Sequence, residues 1–115
     1  MKLTHYIDGK VDKAYSNVKI KVEKNSKKYE FFLDNITNYI YITDRLIFIR
    51  ESDDFRFELE INKKPSSTIT IKKENQSFDI KVISANYKVN NKMISFNYKL
   101  ETDEYDHRID LEIGG

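Results

Sequence analysis

Phe55-Arg56-Phe57-Glu58-Leu59-Glu60-Ile61 alternates apolar and charged residues without a break. A period of two places Phe55, Phe57, Leu59 and Ile61 on one face and Arg56, Glu58 and Glu60 on the other, the pattern of a half-buried β-strand. The same alternation recurs on both sides. Upstream, Val18, Ile20 and Val22 alternate with Lys19, Lys21 and Glu23, and Tyr29, Phe31 and Leu33 alternate with Glu30 and Asp34, with Phe32 interrupting the polar side. Downstream, Ile69 and Ile71 alternate with Thr70 and Lys72, and Phe78, Ile80 and Val82 with Asp79 and Lys81. Ile94, Phe96, Tyr98 and Leu100 alternate with Ser95, Asn97 and Lys99, and Ile109, Leu111 and Ile113 with Arg108, Asp110 and Glu112. No stretch carries an apolar stripe at helical spacing.

Short polar segments separate these runs. They are Lys24-Asn25-Ser26-Lys27, the loop Asn62–Ser67 with the only proline, Glu74-Asn75-Gln76, and Asn90-Asn91. Asn tolerates positive φ, so Asn90-Asn91 is expected to be a tight hairpin turn. Sequential hairpins without helical crossovers pair antiparallel. The sequence therefore predicts an all-β domain over residues 1–115, an antiparallel meander of eight to ten strands. Such a meander either closes into a barrel or splits into two packed sheets. Closure removes exposed edges, and a barrel is the expectation.

Composition agrees. Ile numbers 15, Tyr 8 and Phe 7, against Ala 2 in 115 residues. β-branched and aromatic residues fit a pleated surface, whereas the best apolar helix former is nearly absent. The abundance of Lys, Asn and Ile also marks AT-rich coding, so periodicity is the firmer guide. Lys+Arg is 20 and Asp+Glu 19, a net charge of +1. That balance argues against a nucleic-acid binder. The absence of Cys excludes disulfides and thiolate metal sites, and three glycines leave no room for a phosphate-cradling loop. Met1–His5 offers no apolar leader. The most apolar run, Ile36 to Ile49, is broken by Asp44 and Arg45 and falls short of the ~20 residues of a spanning helix. A soluble, cytoplasmic protein is expected.

Candidate functional residues come from departures and parity. From Tyr39 to Arg50 both faces are apolar, with Thr43-Asp44-Arg45 as a turn. Such a hairpin needs cover on both sides, from the N-terminal segment (Leu3, Tyr6, Ile7, Val11), a second copy, or another partner. Tyr39, Tyr41, Ile47 and Ile49 are the candidate interface. Phe31, Phe57, Phe78, Phe96 and Tyr98 share the inward parity of their strands, with Tyr105 and His107 on that of Ile109 and Leu111. These line either a ligand cavity or a barrel rim. Arg50 shares the parity of Leu46 and Phe48. It binds a carboxylate or phosphate head group, or pairs with Glu51, Asp53 or Asp54. His5 is read as a surface residue. Glu51–Asp54 and Glu101–Glu104 read as solvated turns. No nucleophile–base pair, metal cluster or cofactor motif is present, so neither an enzyme nor a cofactor is expected.

Thr37 to Arg50, the Phe55–Ile61 strand, Thr70 to Val82, the Ile94–Leu100 strand with Asn97-Tyr98-Lys99-Leu100, and the closing Arg108–Ile113 strand follow a familiar order. Residues 36 to 113 resemble the YwiB-like family of small uncharacterised bacterial proteins. The resemblance implies a lipocalin-like, or calycin-like, β-barrel, a type that often holds an apolar ligand. Two functional expectations follow. The first is a non-enzymatic module that takes a small apolar or amphipathic ligand at Arg50, Phe57, Phe78, Phe96, Tyr98, Tyr105 and His107. The second is a filled barrel acting through its outer face, as a homodimer or with a protein partner.

Overall fold

The computed structural model describes residues 1–23 and 27–113. The turn expected at Lys24-Asn25-Ser26 lies outside them. Among the described residues the chain is all-β, with twelve strands in two antiparallel sheets. It divides into two compact units, Met1–Lys19 with Val82–Gly115, and Ile20–Lys81.

The Ile20–Lys81 unit is a pure meander. Its strands are β3 (Ile20–Glu23), β4 (Lys28–Leu33), β5 (Ile36–Ile42), β6 (Leu46–Glu51), β7 (Phe55–Ile61), β8 (Ser66–Ile71) and β9 (Gln76–Ile80), each beside its sequence neighbour. The other unit holds β1 (Lys2–Ile7), β2 (Lys10–Tyr15), β10 (Val82–Val89), β11 (Met93–Leu100) and β12 (His107–Glu112), in the order β10-β11-β12-β1-β2. Here β1 pairs with β12, so the two ends of the described chain share one sheet.

Neither sheet closes on itself. One ends on β10 and β2, the other on β3 and β9. The expected all-β, antiparallel class is therefore present, while the pairings give twelve strands in place of eight to ten and no closed sheet. The additional strands are edges. All of β2 is exposed apart from Tyr15, and β10 is mostly exposed. A strand wet on both faces has no reason to alternate, so period-two reading passes over it.

Packing follows register. In the meander, Ile40, Phe48 and Leu59 face one another across β5–β7 and are 0–1 % exposed. In the other sheet, Leu3, Leu111 and Ile94 form a row that is 0–5 % exposed. Two hairpins use two-residue turns with positive φ at both positions, Asp8-Gly9 and Asp34-Asn35. That is the primed geometry that matches strand twist. Asn90-Asn91 works differently. The Asn90 carboxamide oxygen accepts from the backbone N–H of Lys92 and Met93 at 2.8 and 2.9 Å, and φ stays negative. The side chain supplies the turn that a left-handed backbone was expected to supply. No helix is long and apolar enough to cross a membrane among the described residues.

Leu59, fully buried in the centre of the meander, sets a stability test. Leu59→Ala should cost about 2–5 kcal/mol in urea unfolding, whereas Glu58→Ala on the opposite face should stay within about 0.5 kcal/mol.

Candidate functional site

Arg50 occupies an unusual place in the meander. Successive cross-strand pairs place Phe31, Asn38, Arg50, Phe57, Ile69 and Phe78 in one row across β4 to β9. This is the buried face of β5–β7, so a guanidinium stands in a line of aromatic and aliphatic side chains. The row is closed at Phe31 and Phe57, 4 % and 8 % exposed, and opens at Phe78, 50 % exposed on the edge strand β9.

The acids expected to neutralise Arg50 are engaged elsewhere or turned away. Glu51 lies on the opposite face and pairs with Lys72 at 3.0 Å and Arg56 at 3.8 Å. Asp53 and Asp54 lie in the loop before β7. Among the described residues no ion pair or hydrogen bond engages the Arg50 side chain. Asn38, 4 % exposed beside it, spends its amide N–H groups on the carbonyls of Ile36 (3.1 Å) and Phe31 (3.5 Å). Three of the residues expected to bind ligand, Arg50, Phe57 and Phe78, are thus in one row.

Phe96, Tyr98 and His107 belong to the other unit, where they form a ring stack. Tyr98 and His107 are direct cross-strand partners with ring centroids 5.0 Å apart, and Phe96 and Tyr98 stack at 6.4 Å. His5 completes the stack 5.2 Å from His107. Tyr105 does not join. It lies in the loop ahead of β12, 49 % exposed, because the strand starts only at His107 and its parity does not reach back that far.

His5 corrects the reading of it as a surface residue. It stands on the face of Leu3 and Ile7, opposite Ile109, and its side chain is 23 % exposed. The signal was in the sequence, since Leu3, His5 and Ile7 share one parity between apolar neighbours.

A polar chain runs through this stack. His107 Nε2 lies 2.5 Å from Asp103 Oδ2, His107 Nδ1 lies 3.0 Å from His5 Nε2, and His5 Nδ1 lies 3.8 Å from Asp12 Oδ2. An ionised Asp103 accepts the Nε2–H of His107. Nδ1 of the neutral ring then accepts the Nε2–H of His5. Asp12 reaches His5 through a β-bulge. The register passes from His5↔Lys13 to Tyr6↔Val11, and Asp12 is the extra residue. Bulges re-aim side chains in this way. Burial pushes the Asp103 carboxyl up, but hydrogen bonds from His107 and from the Tyr105 backbone N–H, with the His107 charge, outweigh it and hold the group below its ordinary value. No group of three or more such side chains that could hold a metal ion exists among the described residues.

The candidate interface residues also come together. Tyr39 pairs with Ile49 and Tyr41 with Ile47 on the face of the meander opposite Ile40 and Phe48. Lys28 spans both tyrosine rings, 5.1 and 5.4 Å from their centroids, and a hydrogen bond to the Tyr41 hydroxyl raises its pKa. Burial, then the charges of Glu30 and Glu51, raise that of Tyr39. Ile49 is 5 % exposed, so this face is partly covered by its own side chains.

The depressed pKa of Asp103 gives a test. Its stabilising contribution is present above the unfolded carboxyl value near 3.8 and is lost as pH falls through the lower folded value. Asp103→Asn should lower unfolding stability by about 1–2 kcal/mol at neutral pH. The gap from the parent should close in urea melts well below pH ~4.

Comparison with protein-family models, with curated proteins and with solved structures finds no match to this chain.

Proposed function

We propose that this protein is a non-enzymatic binding module for a small amphipathic anion, held by Arg50 at its head group and by the Phe31–Phe57–Phe78 row along its apolar part. The observation that supports this is Arg50 itself. A part-buried guanidinium between Asn38 and Phe57, with no acid paired to it among the described residues, carries a desolvation cost that no ion pair offsets there. A carboxylate or phosphate offsets that cost through paired charge-assisted hydrogen bonds, and the planar fork favours such groups over neutral ones. The half-exposed Phe78 gives the row an open end. The YwiB-like resemblance, with its lipocalin-like barrel and cytoplasmic bacterial setting, belongs to this proposal. The sequential antiparallel hairpins of the seven-stranded meander support it.

A second reading has its own observation. Tyr39, Tyr41, Ile47 and Ile49 form one patch in register on β5 and β6, which suits docking of a second copy or a protein partner.

Native mass spectrometry of protein purified gently from its own host separates the two. The ligand reading expects an excess mass that disappears on denaturation and belongs to an acidic, largely apolar compound. Arg50→Gln should weaken retention at least about tenfold. A bare monomer, or equal retention by Arg50→Gln, overturns it. A bare dimer dispersed by Tyr41→Glu favours the second reading.

A further inference from the structure

We propose that the Asp12–His5–His107–Asp103 chain is a one-proton latch on the β1–β12 seam, closed with one added proton and forced apart by a second. The inference is independent of the ligand proposed at Arg50, which lies in the other unit.

Proton accounting on these contacts carries the argument. With Asp103 ionised, His107 donates through Nε2 and accepts at Nδ1 from His5 Nε2–H. The next proton goes to His5 Nδ1, which faces Asp12 Oδ2 at 3.8 Å. That single proton completes an unbroken series: Asp12 carboxylate, His5 with both N–H groups, His107 accepting at Nδ1 and donating at Nε2, Asp103 carboxylate. Every hydrogen bond of the neutral state survives, and one cation is added between two anions.

Of the ring nitrogens, only His107 Nδ1 is then left for a second proton. Two N–H groups would then point at each other across 3.0 Å, between two cationic rings whose centroids lie 5.2 Å apart. The rings can accommodate it only by separating. His5 and His107 sit on the two paired strands, so separation acts on the seam directly.

Several groups of this unit face the pair. Asp12 and Lys13 come from β2, where Lys13 is the register partner of His5. Tyr98 comes from β11, stacked on His107. Asp103 comes from the β11–β12 loop. Arg108 turns to the other face, 3.9 Å from the Tyr6 ring. Next to the pair, Asp8 and Asp106 tie the two loops together. The N–H of Asp8 donates to the Asp106 carbonyl and the N–H of Asp106 to the Asp8 carboxylate, both at 2.9 Å. This clamp is the first part of the seam to give way when the rings part.

Long-range nitrogen–proton NMR of the imidazoles between about pH 8 and pH 4, with amide exchange on the same samples, tests the latch. The expected result is uptake of one proton by the two rings together, read at His5 Nδ1, with amide protection of Asp8 and Asp106 intact. Uptake at His107 Nδ1 should coincide with exchange at those amides at least about tenfold faster. Asp12→Asn, which removes an exposed partner, should lower the first midpoint by roughly half a pH unit and leave the fold intact. His5→Gln should abolish the acid loss of protection, because the carboxamide can turn its oxygen to a protonated His107. Two independent one-proton titrations with unchanged protection would overturn the proposal, as would an unshifted midpoint in Asp12→Asn. If His5→Gln does not fold, the parent and Asp12→Asn decide.

Discussion

The pairing of β12 with both β11 and β1 is the constraint on which one unit of this protein depends. The β1–β2 hairpin alone has an almost wholly exposed second strand, and a two-stranded hairpin is marginal in water. Beside β12, its Leu3 joins Leu111 and Ile94 in a buried row, and His5 joins Ile109 and Phe96. β12 is the central strand of five. Register across it decides which side chains meet, and a slip of one residue would turn Leu3, His5 and Leu111 to the opposite face.

The strands that bury one face were legible in the sequence. β5, β6, β7, β11 and β12 carry the burial that their alternation or apolarity implies. The edges β2 and β10 were not, because exposure on both faces removes the pattern. The division into two sheets was not legible either. Alternation fixes which face of a strand is buried, whereas the pairing partner of β1 is a contact between residues about a hundred positions apart. The same distinction holds at the candidate sites. Phe57, Phe96, Tyr98 and Arg50 stand where parity placed them. Tyr105 does not, since its strand begins later, and His5 was misassigned despite its parity. Asp12 reaches His5 only through a bulge, which leaves no period to read.

The two sheets treat polar groups on an apolar face in opposite ways. In the five-stranded sheet the imidazoles are matched group by group. Each hydrogen bond fixes the next, and Asp103 and Asp12 end the series. A connected network of this kind couples its members to one another. In the meander, Arg50 stands between Asn38 and Phe57 with no ion pair among the described residues, while Glu51 serves Lys72 and Arg56 on the other face. One sheet links its polar groups to one another, and the other leaves a guanidinium without an ion pair among the described residues.

The β1–β12 pairing also sets an order of events during synthesis. The ribosome releases β1 and β2 first and β12 last, with the whole meander delivered between them. The meander pairs only neighbours in sequence, so it can fold as each hairpin emerges, at low loop-closure cost. The N-terminal hairpin must wait. Throughout translation the β1 edge that β12 will occupy stays unpaired, with Leu3 and His5 uncovered by their eventual partners. The β1 edge is therefore open to misassociation from its own emergence until β12 is delivered, and the length of that period depends on how quickly the intervening strands are made.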